Sequence, residues 1–321
     1  MERKFYLQFF KLMIEKETID ILLLVLPIFI VMATGNILYK LKFFDQHFMS
    51  VANKLIFYFL LPVLLFYEIA NANIKSYSLT YLLTIMGLAI IAMFVISFVL
   101  GKIFKFNKSS IGTFAMNSFR ANYAYMGLPV SYYAFGDKGL TIASILMAFI
   151  VPLVNLMSVI SLILTSNSKM NLKTFIKNTL FNPLAVACIL GIIFSVLSIK
   201  IPLFINKSLE LMSNVTLPLA LFSIGATLDF KKVKGDIVII SFNVFLKLII
   251  LPLITLALLK ISSTSMTFES KVLIVMLSSP AATVNYILVS EMGGDKDLAS
   301  SVIIISSAFS IFSFVFWISI L

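Results

Sequence analysis

The chain has 321 residues, of which 60% are hydrophobic and only 12% are charged, and its formal net charge is +11. Soluble domains carry about 25% charged residues, so this composition cannot cover the surface of a soluble globular fold. It also excludes a disordered chain and, because Cys188 is the only cysteine, a disulfide scaffold. Apolar runs of about 20 residues recur from Ile19 to Leu321 and predict a polytopic membrane protein.

The predicted elements begin with an N-terminal tail at residues 1–18, which mixes basic, acidic and aromatic residues and is expected at the membrane interface. The apolar runs are solidly apolar and do not alternate, which predicts helices and argues against the strands of a membrane barrel. We therefore predict an all-α polytopic membrane protein with about ten transmembrane helices. In chain order the runs cover residues 19–39, 50–70, 79–101, 111–134, 140–165, 183–199, 204–228, 237–259, 271–291 and 297–321.

Lysine residues in the predicted loops set the expected orientation. Loops that follow the odd-numbered runs contain twelve lysines, and loops that follow the even-numbered runs contain six. Because short loops rich in Lys and Arg stay in the cytoplasm, the first set is predicted to be cytoplasmic and both termini extracytoplasmic. The basic residues of the N-terminal tail favour the opposite orientation. The positive charge therefore indicates membrane topology and not a nucleic-acid partner.

The two halves of the chain repeat several short sequence features. The Leu-Pro pair at residues 61–62 returns at 217–218, 156 residues later, and the Gly-Asp-Lys at 136–138 returns at 294–296, 158 residues later. Five spans in each copy would make the second copy enter the membrane from the opposite side, which predicts an inverted repeat of the kind found in secondary transporters. The predicted units are residues 19–165 and 183–321, joined by a cytoplasmic linker at 166–182. Asp137 and Asp295 are predicted to cap the helices that follow them.

Pro129 and Pro280 lie in the middle of the fourth and ninth runs, among small and polar residues. Proline removes a backbone donor and collides with the preceding turn, so it frees carbonyl groups that hydrocarbon cannot satisfy. Such a break persists only where it lines a cavity or is buried in protein. We predict that both helices are broken near these prolines and that the N-terminal ends of their second halves meet, which favours an anion. A simple kink in each helix is the alternative.

The residues around these prolines resemble the auxin efflux carrier family, which includes bacterial malate and malonate permeases and plant auxin exporters. The resemblance extends from about residue 19 to residue 321. It implies a ten-helix fold related to the bile-acid sodium symporters, with helices one, two, six and seven as a scaffold and the other six as a transport domain that moves like an elevator. The matching residues are Arg120, Asn122, Tyr123, Gly127, Leu128 and Pro129 with residues 135–137 in the fourth run, residues 218–226 in the seventh and 280–295 in the ninth.

The resemblance also implies which side chains contact substrate. Asn122 matches a family asparagine beside the crossing of the two broken helices. In the ninth run, bacterial relatives often have an asparagine directly after the position of Thr283. That residue is Val284 here, and Asn285 follows it, so Thr283 and Asn285 are both candidates. The predicted set from the two runs is Asn122, Tyr123, Gly127, Pro129, Pro280, Thr283 and Asn285.

Three ionisable residues inside the runs are further candidates, because a charge at membrane depth is costly. Lys247 is central in the eighth run and is predicted to supply a counter-charge for a carboxylate, with a structural ion pair as the alternative. For Arg120, nearer the end of its run, capping or a structural pair competes with substrate contact. For Glu68, uptake of a coupling proton competes with a position at the interface.

Enzymatic functions find little support in the sequence. There is no cluster of His, Cys, Asp and Glu with metal-ligand spacing, no glycine-rich phosphate loop in a strand context and no serine with a histidine partner other than the lone His47. We therefore predict neither an enzyme nor a cofactor or metal site.

Together these features predict a secondary active transporter of a small organic anion, a mono- or dicarboxylate such as malate or malonate, in the lipid bilayer of the cytoplasmic membrane. A sodium-coupled symporter of the bile-acid type and a membrane sensor that retains the transporter fold are the alternatives. The residues leave open whether the coupling ion is a proton or sodium, and whether the protein is a homodimer.

Overall fold

The structure is a computed structural model, and it describes residues 2–74, 79–165, 182–262 and 266–321, with side chains from residue 19 onward except at residue 79. Every regular element in these ranges is a helix, and the isolated β-bridge between Ala121 and Ala281 belongs to no strand. The predicted all-helical class is therefore confirmed. Residues 166–181 of the predicted linker lie outside the described residues.

Eleven helices account for most of the described residues. The first of them begins at Glu2, so residues 2–18 of the predicted tail belong to the same helix as the first apolar run. The first six helices are α1 (Glu2–Lys40), α2 (Gln46–Ala70), α3 (Leu79–Ile103), α4 (Lys108–Phe119), α5 (Leu128–Ile163) and α6 (Pro183–Val196). The others are α7 (Leu203–Thr227), α8 (Ile237–Ile261), α9 (Phe268–Leu277), α10 (Val284–Met292) and α11 (Lys296–Ser319).

Seven helical segments within the described ranges are long and apolar enough to cross a membrane, which makes the chain a multi-pass membrane protein. They are α2, α7, α8, α11, most of α1 and α3, and the segment Tyr123–Ile163 that contains α5. α6 is apolar but has only 14 residues, and α4, α9 and α10 have 12, 10 and 9. α5 consists of two helical stretches that meet at a kink at Gly136, between the predicted fourth and fifth runs. The backbone angles of Gly136 are not helical, with φ 67° and ψ −162°, and its positive φ suits glycine. The ten-span arrangement stays a prediction.

Three five-residue π turns interrupt the regular winding, and a Leu-Pro pair directly follows each of them. The turns are Ile56–Leu60, Tyr123–Gly127 and Leu246–Ile250. The leucine N–H donates to the carbonyl five residues back, as Leu251 does to Leu246, but the proline after it has no N–H to donate. Local π winding at these pairs is a response to the missing bond and to the bulk of the ring.

Helices α1 and α7 approach each other closely through two glycines. A Cβ atom added at Gly35 would lie 2.1 Å from the carbonyl oxygen of Phe222, and one added at Gly225 would lie 1.8 Å from that of Met32. Small residues allow membrane helices to pack backbone against backbone. The pair therefore forms one rigid unit.

Replacing Gly225 by alanine is expected to destabilise the protein by about 1 to 3 kcal/mol, because the new methyl group must displace backbone atoms. The matched control is Gly87→Ala, where the nearest atom, Cδ2 of Leu153, would be 3.9 Å from the new Cβ. Melting curves in detergent, followed by the fluorescence of the single tryptophan, Trp317, measure the difference. Equal melting temperatures for the two variants would contradict the close packing of α1 against α7.

Hydrogen bonds of described side chains divide the helices into two groups. Group A contains α1, α2, α6 and α7, whose helices are joined to each other by bonds such as Asn36 to Gly225 and Ser223 to Asn53. Group B contains α3, α4, α5 and α8 to α11, which are joined in the same way. α3 is joined to this group by the hydrogen bond between Tyr81 and Ser262, which directly follows α8. Contacts between aromatic rings of different helices also stay within one group.

Two hydrogen bonds of the described side chains connect the groups. Thr141 of α5 donates to the carboxylate of Glu68 of α2 at 2.7 Å, and the Tyr125 hydroxyl donates to the Asn53 side chain at 3.5 Å. The two groups are therefore joined mainly by apolar contact, while each is joined internally by specific polar bonds.

The predicted helix cap is confirmed at Asp295 and stays a prediction at Asp137. Asp295 precedes α11, and its carboxylate accepts from the Leu298 N–H at 3.0 Å. Its second oxygen accepts from the Ser110 hydroxyl at 2.7 Å, which fixes the start of α11 to α4. Asp137 is exposed and directly follows the kink at Gly136, where the second helical stretch of α5 begins.

Candidate functional site

Two helices are broken where they cross near the middle of the molecule. α4 ends at Phe119 and the next helical residue is Tyr123, while α9 ends at Leu277 and α10 begins at Val284. The extended residues of the two breaks lie antiparallel, with Ala121 opposite Ala281.

Main-chain hydrogen bonds join the two breaks across the crossing. The Asn122 N–H donates to the Pro280 carbonyl at 2.7 Å, and the Ala282 N–H donates to the Arg120 carbonyl at 3.2 Å. The Ala281 N–H donates to the Ser306 hydroxyl at 3.1 Å. The N–H and carbonyl groups at the breaks have lost their partners within a helix. They form hydrogen bonds with each other and with a side chain of α11 instead.

The sequence predicted that the first of these helices is broken near Pro129, but Pro129 itself is not at the break. The break precedes Pro129 by seven residues, at Asn122, and Pro129 lies in the first turn of α5 after the π turn. Proline is tolerated at the start of a helix because its missing N–H has no intrahelical acceptor there. Pro280, in contrast, lies at the break itself, and its carbonyl accepts the bond from Asn122.

A cavity of about 670 Å³ lies against this crossing. One wall consists of the start of α2, the start of α6 and the end of α7, all in group A. The other wall consists of the two breaks, the middle of α5 and the first turns of α10, all in group B. Most of the lining is apolar, and the polar groups are concentrated at the breaks, at the start of α2 and on α7. The cavity thus lies between the two groups of helices.

The charged side chains that line the cavity are both cations. Arg120 is 7% exposed and donates to the Ser158 hydroxyl at 3.0 Å, and Lys54 is exposed at the wall formed by α2. Among the described residues, no aspartate or glutamate lines the cavity, and no carboxylate forms a salt bridge with either cation. An anion in the cavity would therefore meet positive charge without competition from a protein carboxylate.

Asn122 combines a structural bond with a free donor. Its side-chain oxygen accepts from the Tyr125 N–H at 3.3 Å, which caps the start of the second helical half. Its side-chain nitrogen is buried and has no partner within the described residues. A buried N–H donor without a partner is costly, so this donor is available to a ligand in the cavity.

Two helix starts also face the cavity. Tyr123 and Ala124 begin the segment that leads into α5, Thr283 and Val284 begin α10, and all four line the cavity. N–H groups in the first turn of a helix have no intrahelical acceptor and carry the positive end of the helix dipole. The site can therefore bind a carboxylate with backbone and side-chain donors from both breaks.

The cavity brings together four of the residues predicted from the sequence: Arg120, Asn122, Tyr123 and Thr283. Gly127 and Pro129 lie deeper in group B, where a Cβ on Gly127 would be 2.8 Å from the Met276 sulfur. Asn285 is fully buried and donates to the Asn117 side chain at 2.9 Å, away from the cavity lining. Of the two candidates in the ninth run, Thr283 is therefore the one at the cavity.

Lys247 and Glu68 lie outside the cavity lining. Lys247 is fully buried in α8 and donates to the Leu277 carbonyl at 2.8 Å. Glu68 is partly buried and accepts from Thr141. The roles predicted for them, counter-charge and proton coupling, stay predictions.

Polar residues at the start of α2 and near the end of α7 were not predicted from the sequence. Asn53, Lys54 and Ser223 line the cavity, and the Asn53 side chain accepts from Ser223 at 2.6 Å. Lys54 lies within the predicted second run, so the cost of a charge at membrane depth could have identified it in the same way as Lys247. Asn53 and Ser223 carry no such signal, because uncharged polar residues are common where membrane helices pack together.

Comparison with known proteins identifies the kind of molecule to which this site belongs. The family described as "Membrane transport protein" matches residues 20–174 and 165–318. The chain belongs to this family. It is the auxin efflux carrier family that the residues around Pro129 and Pro280 resemble.

The transporter is also similar to individual proteins, two of which match at least 90% of its length. It is 27% identical over 304 residues to an uncharacterized transporter of Methanocaldococcus jannaschii, covering 93% of this chain and 97% of that protein. It is 27% identical over 238 residues to the uncharacterized transporter YfdV of Escherichia coli K12, covering 71% and 74%. It is 22% identical over 296 residues to the "Putative malonate transporter" of Rhizobium meliloti, covering 90% and 92%.

Proposed function

We propose that this membrane transporter is a secondary carrier of a small organic anion, a mono- or dicarboxylate such as malonate or malate. The observation that carries the proposal is the charge of the cavity at the crossing: Arg120 and Lys54 line it, and no acidic side chain of the part of the chain that the structure describes does. A carboxylate can accept hydrogen bonds from an Arg guanidinium, a side-chain amide and the N–H groups of helix N-termini at the same time. The Rhizobium meliloti relative whose name includes malonate supports this substrate class.

The proposed binding mode uses donors from both breaks. The free N–H of Asn122 and the first N–H groups of the two helix starts hold one carboxylate, Thr283 orients it and Arg120 balances its charge. Lys54, on the opposite wall, meets a second carboxylate when the substrate has one. The apolar side chains of the lining contact the carbon skeleton.

We further propose an elevator-like movement of group B against group A. Group A corresponds to helices one, two, six and seven of the predicted ten-span inverted repeat, and group B to the other six. The proposal is supported by the polar bonds that join helices within each group and by the scarcity of such bonds between them. Both broken helices, with the donors for substrate, belong to group B and would move as one body.

The cavity lies beside the start of α2 and the end of α7, which the lysine distribution predicts to be cytoplasmic. We therefore assign this conformation as inward-facing in the cytoplasmic membrane, with both termini outside. The Glu68 to Thr141 bond lies near the other end of α2 and would close the outer side. If Glu68 takes up a proton in the outward-facing state, it also couples transport to the proton gradient.

Uptake into proteoliposomes tests the proposed function. Purified protein should accumulate radiolabelled malonate or malate when a proton gradient or membrane potential is imposed, and protein-free liposomes should not. Repeating the assay with a sodium gradient alone distinguishes the bile-acid type of symport. A protein that moves no carboxylate under any of these gradients would refute the proposal.

Crosslinking Glu68 to Thr141 tests the movement of the two groups. The readout is malonate movement down its own concentration gradient, which needs no proton coupling by Glu68. In a Cys188→Ser background, Glu68→Cys with Thr141→Cys should lose this transport when a short, reducible thiol crosslinker joins them, and regain it after reduction. The matched control is Asn71→Cys with Asn206→Cys, which replaces a 3.0 Å hydrogen bond within group A. Transport that survives the first crosslink, or is lost with the second, would contradict the division into scaffold and moving body.

A further inference from the structure

One face of α8 contacts both broken helices. Asn243 and Lys247 are four residues apart, so their side chains leave α8 on the same side. The Asn243 amide donates to the Phe114 carbonyl at 2.9 Å and to the Ser118 hydroxyl at 2.6 Å, both in α4. Lys247 donates to the carbonyl of Leu277, the last residue of α9. α8 therefore holds the first half of each broken helix just before its break.

The end of α9 needs donors from other helices. The last four carbonyls of a helix have no intrahelical partner and carry the negative end of the dipole. Ser278 supplies its own N–H and hydroxyl to the carbonyls of Ile274 and Val275. The Leu277 carbonyl accepts from the side-chain nitrogen of Lys247, and the Ser278 carbonyl accepts from the Ser313 hydroxyl at 3.4 Å. Lys247 thus donates a side-chain N–H to the last carbonyl of α9, three residues before Pro280.

The backbone around Lys247 is itself held in place. Lys247 lies in the π turn Leu246–Ile250, and Pro252 after it has no N–H for the Leu248 carbonyl, its acceptor in a regular helix. That carbonyl accepts instead from Trp317 at 2.9 Å and from Ser313 at 3.0 Å. The turn that carries Lys247 is therefore fastened to α11, which leaves the long side chain little freedom to reach elsewhere.

Nothing described around Lys247 suits the role of counter-charge. It is fully buried and does not line the cavity, so it does not face a substrate bound there. The alternative, a structural ion pair, also finds no support, because no described carboxylate pairs with Lys247. We propose that Lys247 is a positioning residue: by capping α9 it keeps Ala281 opposite Ala121 and aims the start of α10 into the cavity. The part of this proposal that concerns transport rests on the proposed function, and the part that concerns the break does not.

The central experiment replaces Lys247 by methionine, which keeps the length of the side chain and removes its N–H donors. Hydrogen exchange followed by mass spectrometry should show exchange in residues 277–286 at least about tenfold faster than in the wild type, because the helix end has lost its cap. Malonate uptake should show a KM raised by about tenfold and a smaller change in maximal rate, because the misplaced donors bind substrate less well. The matched control is Lys260→Met, at the exposed end of the same helix, and should change neither value.

Chemical rescue separates positioning from a general loss of structure. In Lys247→Ala, n-propylamine can occupy the vacated space and donate to the Leu277 carbonyl, so it should restore slow exchange and at least a third of wild-type uptake. Tetramethylammonium has no N–H and should restore neither. Should Lys247→Met fail to fold, Lys247→Gln, which keeps an N–H donor, serves for the same exchange measurement and should remain close to the wild type.

Two results would overturn the proposal. Unchanged exchange together with unchanged uptake in Lys247→Met would show that the cap is dispensable. A raised KM with unchanged exchange would return Lys247 to the role of counter-charge. If the wild type moves no carboxylate, the proposed function fails, and the exchange measurement still decides whether Lys247 holds the break.

Discussion

Replacing Asn122 by aspartate is expected to reduce carboxylate uptake by roughly ten- to hundredfold while leaving the protein folded. Aspartate has the same size and keeps the oxygen that accepts from the Tyr125 N–H, so the cap at the start of the second helical half survives. It loses the buried N–H that has no protein partner and adds a negative charge where an anion should bind. Uptake of radiolabelled malonate and the melting temperature measure the two effects.

Two companion variants complete the measurement. Asn122→Ala removes both the cap and the donor and should lose uptake as well, with a lower melting temperature than Asn122→Asp. Asn214→Ala, at an exposed position on α7, makes the same chemical change away from the cavity and should behave as the wild type. Near-normal uptake by Asn122→Asp would mean that Asn122 only caps a helix.

Removing the positive charge of Arg120 should have the second large effect. Arg120→Gln is expected to raise the KM for malonate by about tenfold or more, because a buried charge is little screened by water. Lys54→Gln should raise it less, because Lys54 is exposed, and its effect should fade at high ionic strength. Uptake measured over a range of substrate concentrations at low and high salt gives both values.

Lys231→Gln is the matched control for this pair, since Lys231 is exposed and lies outside the cavity. A monocarboxylate of similar size should depend on Arg120 but not on Lys54, if Lys54 meets the second carboxylate. An equal loss for Lys54→Gln and Arg120→Gln with a monocarboxylate would contradict the proposed binding mode.

Hydrophobicity predicted the class of the fold because every helix that faces lipid must be apolar over most of its length. It did not predict where the helices break. The break was predicted near Pro129 because proline disrupts helices. In the structure, Pro129 lies in the first turn of α5, directly after a π turn, and the helix continues through it. The actual break at Ala121 depends on Ala281, some 160 residues away, and pairing between segments so distant leaves no local pattern.

The same limit explains which site residues could be predicted. Asn122 was found because it matches a family signature beside the crossing. Asn285 fits the ninth run equally well in sequence, and only the packing of α10 against α4 directs it to Asn117 and leaves Thr283 at the cavity. Lys247 could be identified in the sequence as an ionisable residue within an apolar run. Its hydrogen-bond acceptor could not be predicted, because it is a main-chain carbonyl and every residue has one.

The pairing of Ala121 with Ala281 has a consequence for how substrate preference can change. The two bonds that flank this pair run between main-chain atoms, so they do not depend on which side chains stand at the breaks. Side chains around the cavity can therefore be exchanged for others of similar size while the frame that aims both helix starts is retained. A library that varies Tyr123, Thr283 and Val284 should yield folded transporters with altered choice of anion. The side chains contact the anion, whereas the main-chain atoms hold the two breaks together.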